Sequence, residues 1–408
     1  MNLKRLGFLF VGLSLSAPLL AEAGSLTARS TDPDFYEKIY DETILNKSAG
    51  EYVQEINSGW GPGLKSLRKS LNPSKNYIVL HVIEPGIVYD LRSAEHFRRG
   101  LLAMGIEELL SDDLALGHVF TSWRCQVNGQ AVEGTTGITG ELDKQFTKML
   151  NKGWGMTAFY SHFQDGHLQT PKLLEHEWKY ANTLHTVAVE VDDQVCQNAM
   201  KFVSDFIHHP DQPYTNFGPN LNPTNFEGGG CGSFGVSVLQ KSGIFGRQNF
   251  WPVLWRKLRA PRKTFAYGLK SIPEDAVVYK LPWETERERD AKTTVRFFLR
   301  SWKDEDGDGP ALNQQDPEML LLFLKTLYRL NPKALSPNFT EREEYKYRVV
   351  KKLGKNPTID KHFDPKAAAV VSLTRDWLKD LAAAGYKARP SSTGSADKTF
   401  PALVLDRE

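Results

Sequence analysis

The chain has 408 residues, 51 Lys and Arg against 49 Asp and Glu, a formal net charge of +2, and 11% aromatic residues including nine tryptophans. Near-balanced charge excludes the basic footprint of a nucleic-acid-binding protein. The aromatic content points to a substantial core and an aromatic-lined cleft, and the length allows two or three domains of roughly 100–200 residues each.

The first residues, MNLKRLGFLFVGLSLSAPLLAEAGS, read as a secretory signal peptide. Lys4 and Arg5 precede an apolar stretch, and Ala21-Glu22-Ala23 offers an A-x-A site with cleavage after Ala23. No later run approaches the roughly 18 apolar residues of a membrane span. The mature chain is therefore expected in a periplasm or outside the cell, with no integral membrane segment.

Asp34 to Trp60 has mixed helical periodicity and is expected as a helical lead-in. Strands are expected in NYIVLHVIEP, from Asn76, and GIVYDLR, from Gly86; Ser93 then caps a helix, SAEHFRRGLLAMGIEELLSDD, with Glu95 in its first turn. From Leu114 the texture turns to short strands. LGHVFTSWRCQV and QAVEGTTG flank Asn128-Gly129, a strong hairpin signal. GMTAFYSHFQ and TLHTVAVEV are further strands, Asp192-Asp193 caps the helix DDQVCQNAMKFVSDFIHH, and a Pro/Asn/Gly loop leads into a helix at Cys231.

Beyond Gly243 the pattern is helical and charged: WPVLWRKLRAPRK, WETERERDAKTTVRFFLRSW, DPEMLLLFLKTLYRL, REEYKYRVVKKLG and FDPKAAAVVSLTRDWLKDLAAAGY. A mobile tail is expected after them. The expected organisation is a signal peptide (1–23), an α/β lead-in (24–113), a core (114–243), a helical region (244–390) and the tail (391–408). The class is α+β.

Three cysteines in an oxidising compartment leave at least one unpaired. Cys125 lies in a strand-like segment and Cys196 opens a helix, so these two are the expected pair and Cys231 the free thiol. Cys231 follows Gly228, Gly229 and Gly230 at the mouth of a helix. Unpaired N–H groups and the macrodipole there favour a thiolate. The glycines let backbone approach a substrate carbonyl, and the N–H of Cys231 is a candidate oxyanion donor. A lone Cys near glycines is by default a small packed residue, but an idle thiol in an oxidising space is a liability.

A base is needed, and His118, directly after Gly117 at a strand start, is placed to project into a cleft. Glu133, on the next strand of the hairpin, would hold the imidazole's tautomer. Singly, each has a blander reading: a half-buried strand histidine and a solvated strand-edge carboxylate. Taken together, G-H-V-F, then V-E-G, then a strand and helix, then a loop into a Cys-bearing helix resembles the circularly permuted papain-like fold. That is the NlpC-type superfamily, with YiiX-like hydrolases and lecithin:retinol acyltransferases among its relatives.

The resemblance covers roughly Leu114 to Ser242 and implies an antiparallel sheet with a catalytic helix, Cys231 as nucleophile, His118 as base and Glu133 as third residue. TVAVEV, the helix to His209 and Gln212-Pro213-Tyr214 match the family in order and type. Gly230 stands where the family commonly has Asn or Tyr, and the segment from Gly140 to Thr183 is longer than a compact member needs. His162 in FYSHFQ is the alternative third residue. By resemblance the substrate is a cell-wall peptide, another amide or a lipid acyl group, and no cofactor or metal is implied. The rival readings are a thiol acyltransferase or lipid-ester hydrolase, and a non-catalytic exported binding protein.

Two other motifs stand out. Asp304, Asp306, Asp308 and Gly309 match the first half of a calcium loop, but Gln315 sits where the bidentate Glu belongs. A solvated acidic turn is the plainer reading. The basic, tryptophan-bearing stretch from Trp251 is read as a helix with its tryptophans packed inward, ahead of a membrane- or polymer-surface element.

Overall fold

The computed structural model describes residues 48–84, 91, 93–100, 117–140, 161–162, 166–172, 174, 184–259, 277–278, 301–302, 311–331, 365–394 and 399–408. The signal-peptide region, most of GIVYDLR, the helix from Ser93 past residue 100, most of GMTAFYSHFQ, the helices expected around 283–300 and 341–354, and Asp304 to Gly309 lie outside the described residues.

In chain order the elements are α1 (Ala49–Ile56), α2 (Lys65–Ser70), β1 (Asn76–Ile83), β2 (His118–Val127), β3 (Gln130–Thr136), β4 (Ile138–Gly140), β5 (Ser161–His162), β6 (Gly166–Leu168) and β7 (Leu184–Val191). They continue with α3 (Asp193–His208), α4 (Cys231–Ser242), β8 (Trp255–Arg259), β9 (Val277–Val278), β10 (Ala311–Gln315), α5 (Pro317–Leu330), α6 (Pro365–Ala383), β11 (Tyr386–Gly394) and β12 (Thr399–Arg407). Ser93 caps a helical stretch at 94–100, its Oγ accepting from the N–H of His96 at 3.3 Å.

The class is α+β. Its main sheet has six strands in the order β11-β12-β7-β1-β2-β3. Every neighbouring pair is antiparallel except β12–β7, which is parallel, so the sheet is mixed and not the antiparallel one expected. Asn128 and Gly129 turn the β2–β3 hairpin at φ 52° and 77°, the paired left-handed conformation a two-residue hairpin needs.

Strand alternation divides the core. Ile78, Leu80, Val82, Val119, Val187, Val189, Leu403 and Leu405 pack with α3, α4, α5 and α6 on one side. Tyr77, Val79, Ile83, Phe120, Ala188, Ala402 and Val404 pack with Leu64 and Leu67 on the other. On the first side Cys125 and Cys196 form a disulfide with Cα atoms 5.7 Å apart, tying β2 to α3, and Cys231 is free. The expected pairing is the one found.

Three expectations about organisation are corrected. The segment expected as a mobile tail forms β11 and β12, and Ala402 to Leu405 are almost wholly buried. Its Pro and Ser residues read as a loop because Pro390 sits on the edge strand β11, the place in a sheet that tolerates proline. The lead-in, core and C-terminal region are not separate units, since β1, then β2, β3 and β7, then β11 and β12 share one sheet. The stretch from Trp251 makes one helical turn, Trp251–Leu254, and then the strand β8, which pairs with β10. Trp251 and Trp255 are half-buried with ring centroids 4.9 Å apart.

Candidate functional site

Cys231 is the first residue of α4. The first helical bond runs from the N–H of Phe234 to Gly230 O at 2.9 Å, so the N–H groups of Cys231, Gly232 and Ser233 precede the intrahelical ladder. Ser233 Oγ closes this end by accepting from the N–H of Gly230 at 2.9 Å. The glycines before Cys231 serve the chain's own packing. At φ 115°, Gly228 lies so close to the 216–223 loop that a Cβ would meet Asn216 O at 2.4 Å. That loop includes the Asn216 carbonyl that accepts from the N–H of Gly229 at 3.0 Å.

The helix packs on the start of β2, where a Cβ on Gly235 would touch Val119 at 2.7 Å. This close approach brings the thiol to His118. The half-buried Cys231 thiol donates to Gly117 O at 4.0 Å and lies within reach of His118 and of the backbone N–H groups of Val119 and Gly232. Burial alone would push the thiol's pKa up. The nearby His118 ring, its charge and the two N–H groups outweigh that, and the net direction is down, toward the thiolate.

Glu133 is not the third residue. In the β2–β3 register it lies opposite Arg124, six positions along β2 from His118, which at about 3.3 Å per residue is some 20 Å. Its carboxylate is buried and paired with Arg124 at 2.6 Å and Arg68 at 2.7 Å. The hairpin alone leaves open which β2 residue Glu133 faces, and the register decides. His162 lies on β5, paired with β9; its side chain is outside the described residues.

The residue at the ring is Gln169, which sequence reasoning missed. It lies just past β6, with its N–H donating to Gly137 O at 2.8 Å and its carbonyl accepting from Thr136 Oγ1 at 2.9 Å. The end of β3 therefore fixes it. Its Oε1 accepts from His118 Nε2 at 2.5 Å, and both residues are buried. A glutamine in GHLQT carries no pattern that marks it beforehand.

A second missed residue is His167, two positions earlier and 5% exposed. Burial, then the charge on His118, lowers its pKa to about 3, so the ring is neutral near neutral pH. The Pro213–Tyr214 turn completes this wall, since a Cβ on Gly166 would strike Tyr214 O at 2.9 Å. Chemically the group is a low-pKa thiol, a ring base oriented by an amide, and a helix start with N–H groups available to an oxyanion. Among the described residues no group of three or more His, Cys, Asp or Glu is placed to hold a metal ion. No family model, curated protein or solved structure matches the chain.

Proposed function

We propose that this protein is an exported thiol hydrolase with a permuted papain-like core, cleaving an amide bond through Cys231, His118 and Gln169. The observation that carries the reading is the Cys231 thiol beside His118 at a helix start, with the ring's Nε2 held by Gln169. The order of a histidine strand before a cysteine helix supports the permuted topology. The Cys125–Cys196 disulfide supports an oxidising compartment and, with it, the signal peptide. Among the described residues no helix is long and apolar enough to cross a membrane.

In this mechanism the Cys231 thiolate adds to the carbonyl carbon, and the oxyanion faces the N–H groups that open α4. Collapse breaks the C–N bond as His118 gives its proton to the leaving amine, leaving a thioester. Water, deprotonated by His118, then releases the acid and regenerates the thiolate. Peptides, including those of the cell wall, are the substrates that export favours.

The test is alkylation across a pH series with iodoacetamide, followed by intact mass. Wild-type Cys231 is expected to react selectively at pH 7. In His118→Ala burial is opposed only by the two backbone N–H groups, so the apparent thiol pKa should rise and alkylation at pH 7 should slow. An unreactive Cys231, or an unchanged profile in the variant, would sink the mechanism.

A further inference from the structure

Arg124 lies on β2 between Trp123 and Cys125, both of which face the α3 side of the sheet, so its side chain stands on the opposite face with Leu67 of α2. It is 6% exposed. Glu133, directly across the hairpin, accepts from Arg124 Nε at 2.6 Å and pairs with Nη2 at 2.6 Å, both through the one oxygen Oε1. A guanidinium is a planar fork in which Nε and Nη2 make one edge and Nη1 and Nη2 the next. Glu133 takes the first edge. Nη1, on the second, is buried and has no hydrogen-bond partner among the described residues.

Two neighbours build a site around this edge. Arg68 of α2, 54% exposed, pairs through Nε with the other Glu133 oxygen, Oε2, at 2.7 Å. Two guanidinium charges thus share one carboxylate, and one positive charge is left over. Trp60 lies with its ring centroid 5.7 Å from Arg124 Cζ, its own Nε1 donating to Trp123 O at 2.8 Å. The ring face attracts the charge but offers no in-plane oxygen to an N–H group. The loop bearing Trp60 is pinned to β3, where Ser58 bridges to Glu133. A charged donor buried without an acceptor is costly, and hairpin, loop and helix together hold this one in place.

We propose that Arg124, Arg68 and Trp60 form a binding site for a small oxyanion, held by the Nη1–Nη2 edge of Arg124 with Arg68 on the exposed side. The ligand class is a carboxylate or a phosphoryl group. Each presents paired oxygens to a planar fork and brings the negative charge that the Arg124–Glu133–Arg68 triad lacks. A neutral hydroxyl or amide would satisfy the donor and leave the charge unbalanced. Arg124 is six positions along β2 from His118, some 20 Å at about 3.3 Å per residue, so the site stands apart from the thiol and does not rest on its chemistry.

The test is calorimetric titration of the full chain at fixed ionic strength in chloride, with inorganic phosphate in one arm and acetate in the other. Wild type is expected to bind one equivalent of at least one of them, with a thermal midpoint that climbs as its concentration rises. Binding of phosphate alone assigns a phosphoryl ligand, and of acetate alone a carboxylate. Arg68→Gln, at an exposed position, should weaken binding by about tenfold. Arg124→Lys keeps a cation beside Glu133 but has no fork, and should weaken it by at least as much. Lys201→Gln removes an exposed cation on α3, paired with Asp205, and should leave binding within about twofold. No saturable binding of either anion to wild type, unchanged binding in Arg68→Gln or Arg124→Lys, or an equal loss in Lys201→Gln would each overturn the site. Thermal melts check folding; should Arg124→Lys not fold, Arg68→Gln against Lys201→Gln decides.

Discussion

Gln169 Oε1 accepts the Nε2 proton of His118, so the ring's remaining nitrogen is the one left for the Cys231 thiol. A neutral amide fixes the tautomer and the ring plane without adding a negative charge behind the imidazole. Gln169→Ala is expected to slow acyl-enzyme formation by about tenfold or more, while Gln169→Glu, which retains an acceptor, recovers most of the rate. Rapid-quench mass spectrometry of the thioester reads this out. Equal rates in wild type and Gln169→Ala would remove Gln169 from the mechanism.

Glu133 has a different task, and its variant should behave differently. The carboxylate is buried between Arg124, itself 7% exposed, and the more exposed Arg68. Glu133→Ala leaves the Arg124 charge buried and uncompensated, with an expected loss of about 3 kcal/mol in urea unfolding. Cys231 alkylation by iodoacetamide should stay within about twofold of wild type. A large fall in alkylation rate without a loss of stability would return Glu133 to the site.

The disulfide sets a third expectation. Cys125 and Cys196 are 71 residues apart in sequence, and closing a loop of that length restricts the unfolded chain by about 4 kcal/mol on the chain-entropy account. Reduction, or Cys125→Ala with Cys196→Ala, should lower the urea midpoint accordingly. Without reductant, only Cys231 should take up a thiol label. Finding Cys231 in a native intramolecular disulfide would end the enzyme reading.

Acid should destabilise the fold through its buried imidazoles. His81 is fully buried in a hydrogen-bonded row with Thr186 at 3.1 Å and Ser122 at 3.0 Å, and Ser122 continues it to Thr135 at 3.0 Å. Burial lowers the His81 pKa from 6.5 to about 3, and that of His167 likewise falls to about 3. Between these limits the unfolded chain binds protons that the folded chain refuses. Their share of stability is therefore whole above about pH 6.5 and drains away as pH falls toward 3. Urea midpoints at pH 7, 5.5 and 4.5 should fall in that order, and His81→Gln should flatten the slope. An equally steep slope in that variant would clear His81.

The parts legible in the sequence were local or chemical. The Asn128-Gly129 turn, the strand character of β1, β2 and β7, the caps at Ser93 and Asp192, and the oddness of the cysteine count each act within a few residues or through one element's chemistry. Cys231 and His118 stand out in the sequence because a thiol at a helix start and a ring at a strand start advertise themselves. What failed was register and distance. Glu133 faces Arg124 because of how β2 and β3 align, and Gln169 meets the His118 ring only because β3's end carries it there. That glutamine has no local pattern to mark it.

The position of β12 has a consequence for how the molecule comes into being. Its partner β7 runs from Leu184 to Val191, yet Ala402 to Leu405 must lie parallel beside it. A chain made from its N-terminus thus exposes one edge of β7 until more than two hundred further residues have followed. Pairings this remote close slowly, because the intervening chain must be constrained before any contact is gained. During synthesis, that bare apolar edge is where a chaperone would need to stand and where a protease or a second nascent chain would first find purchase.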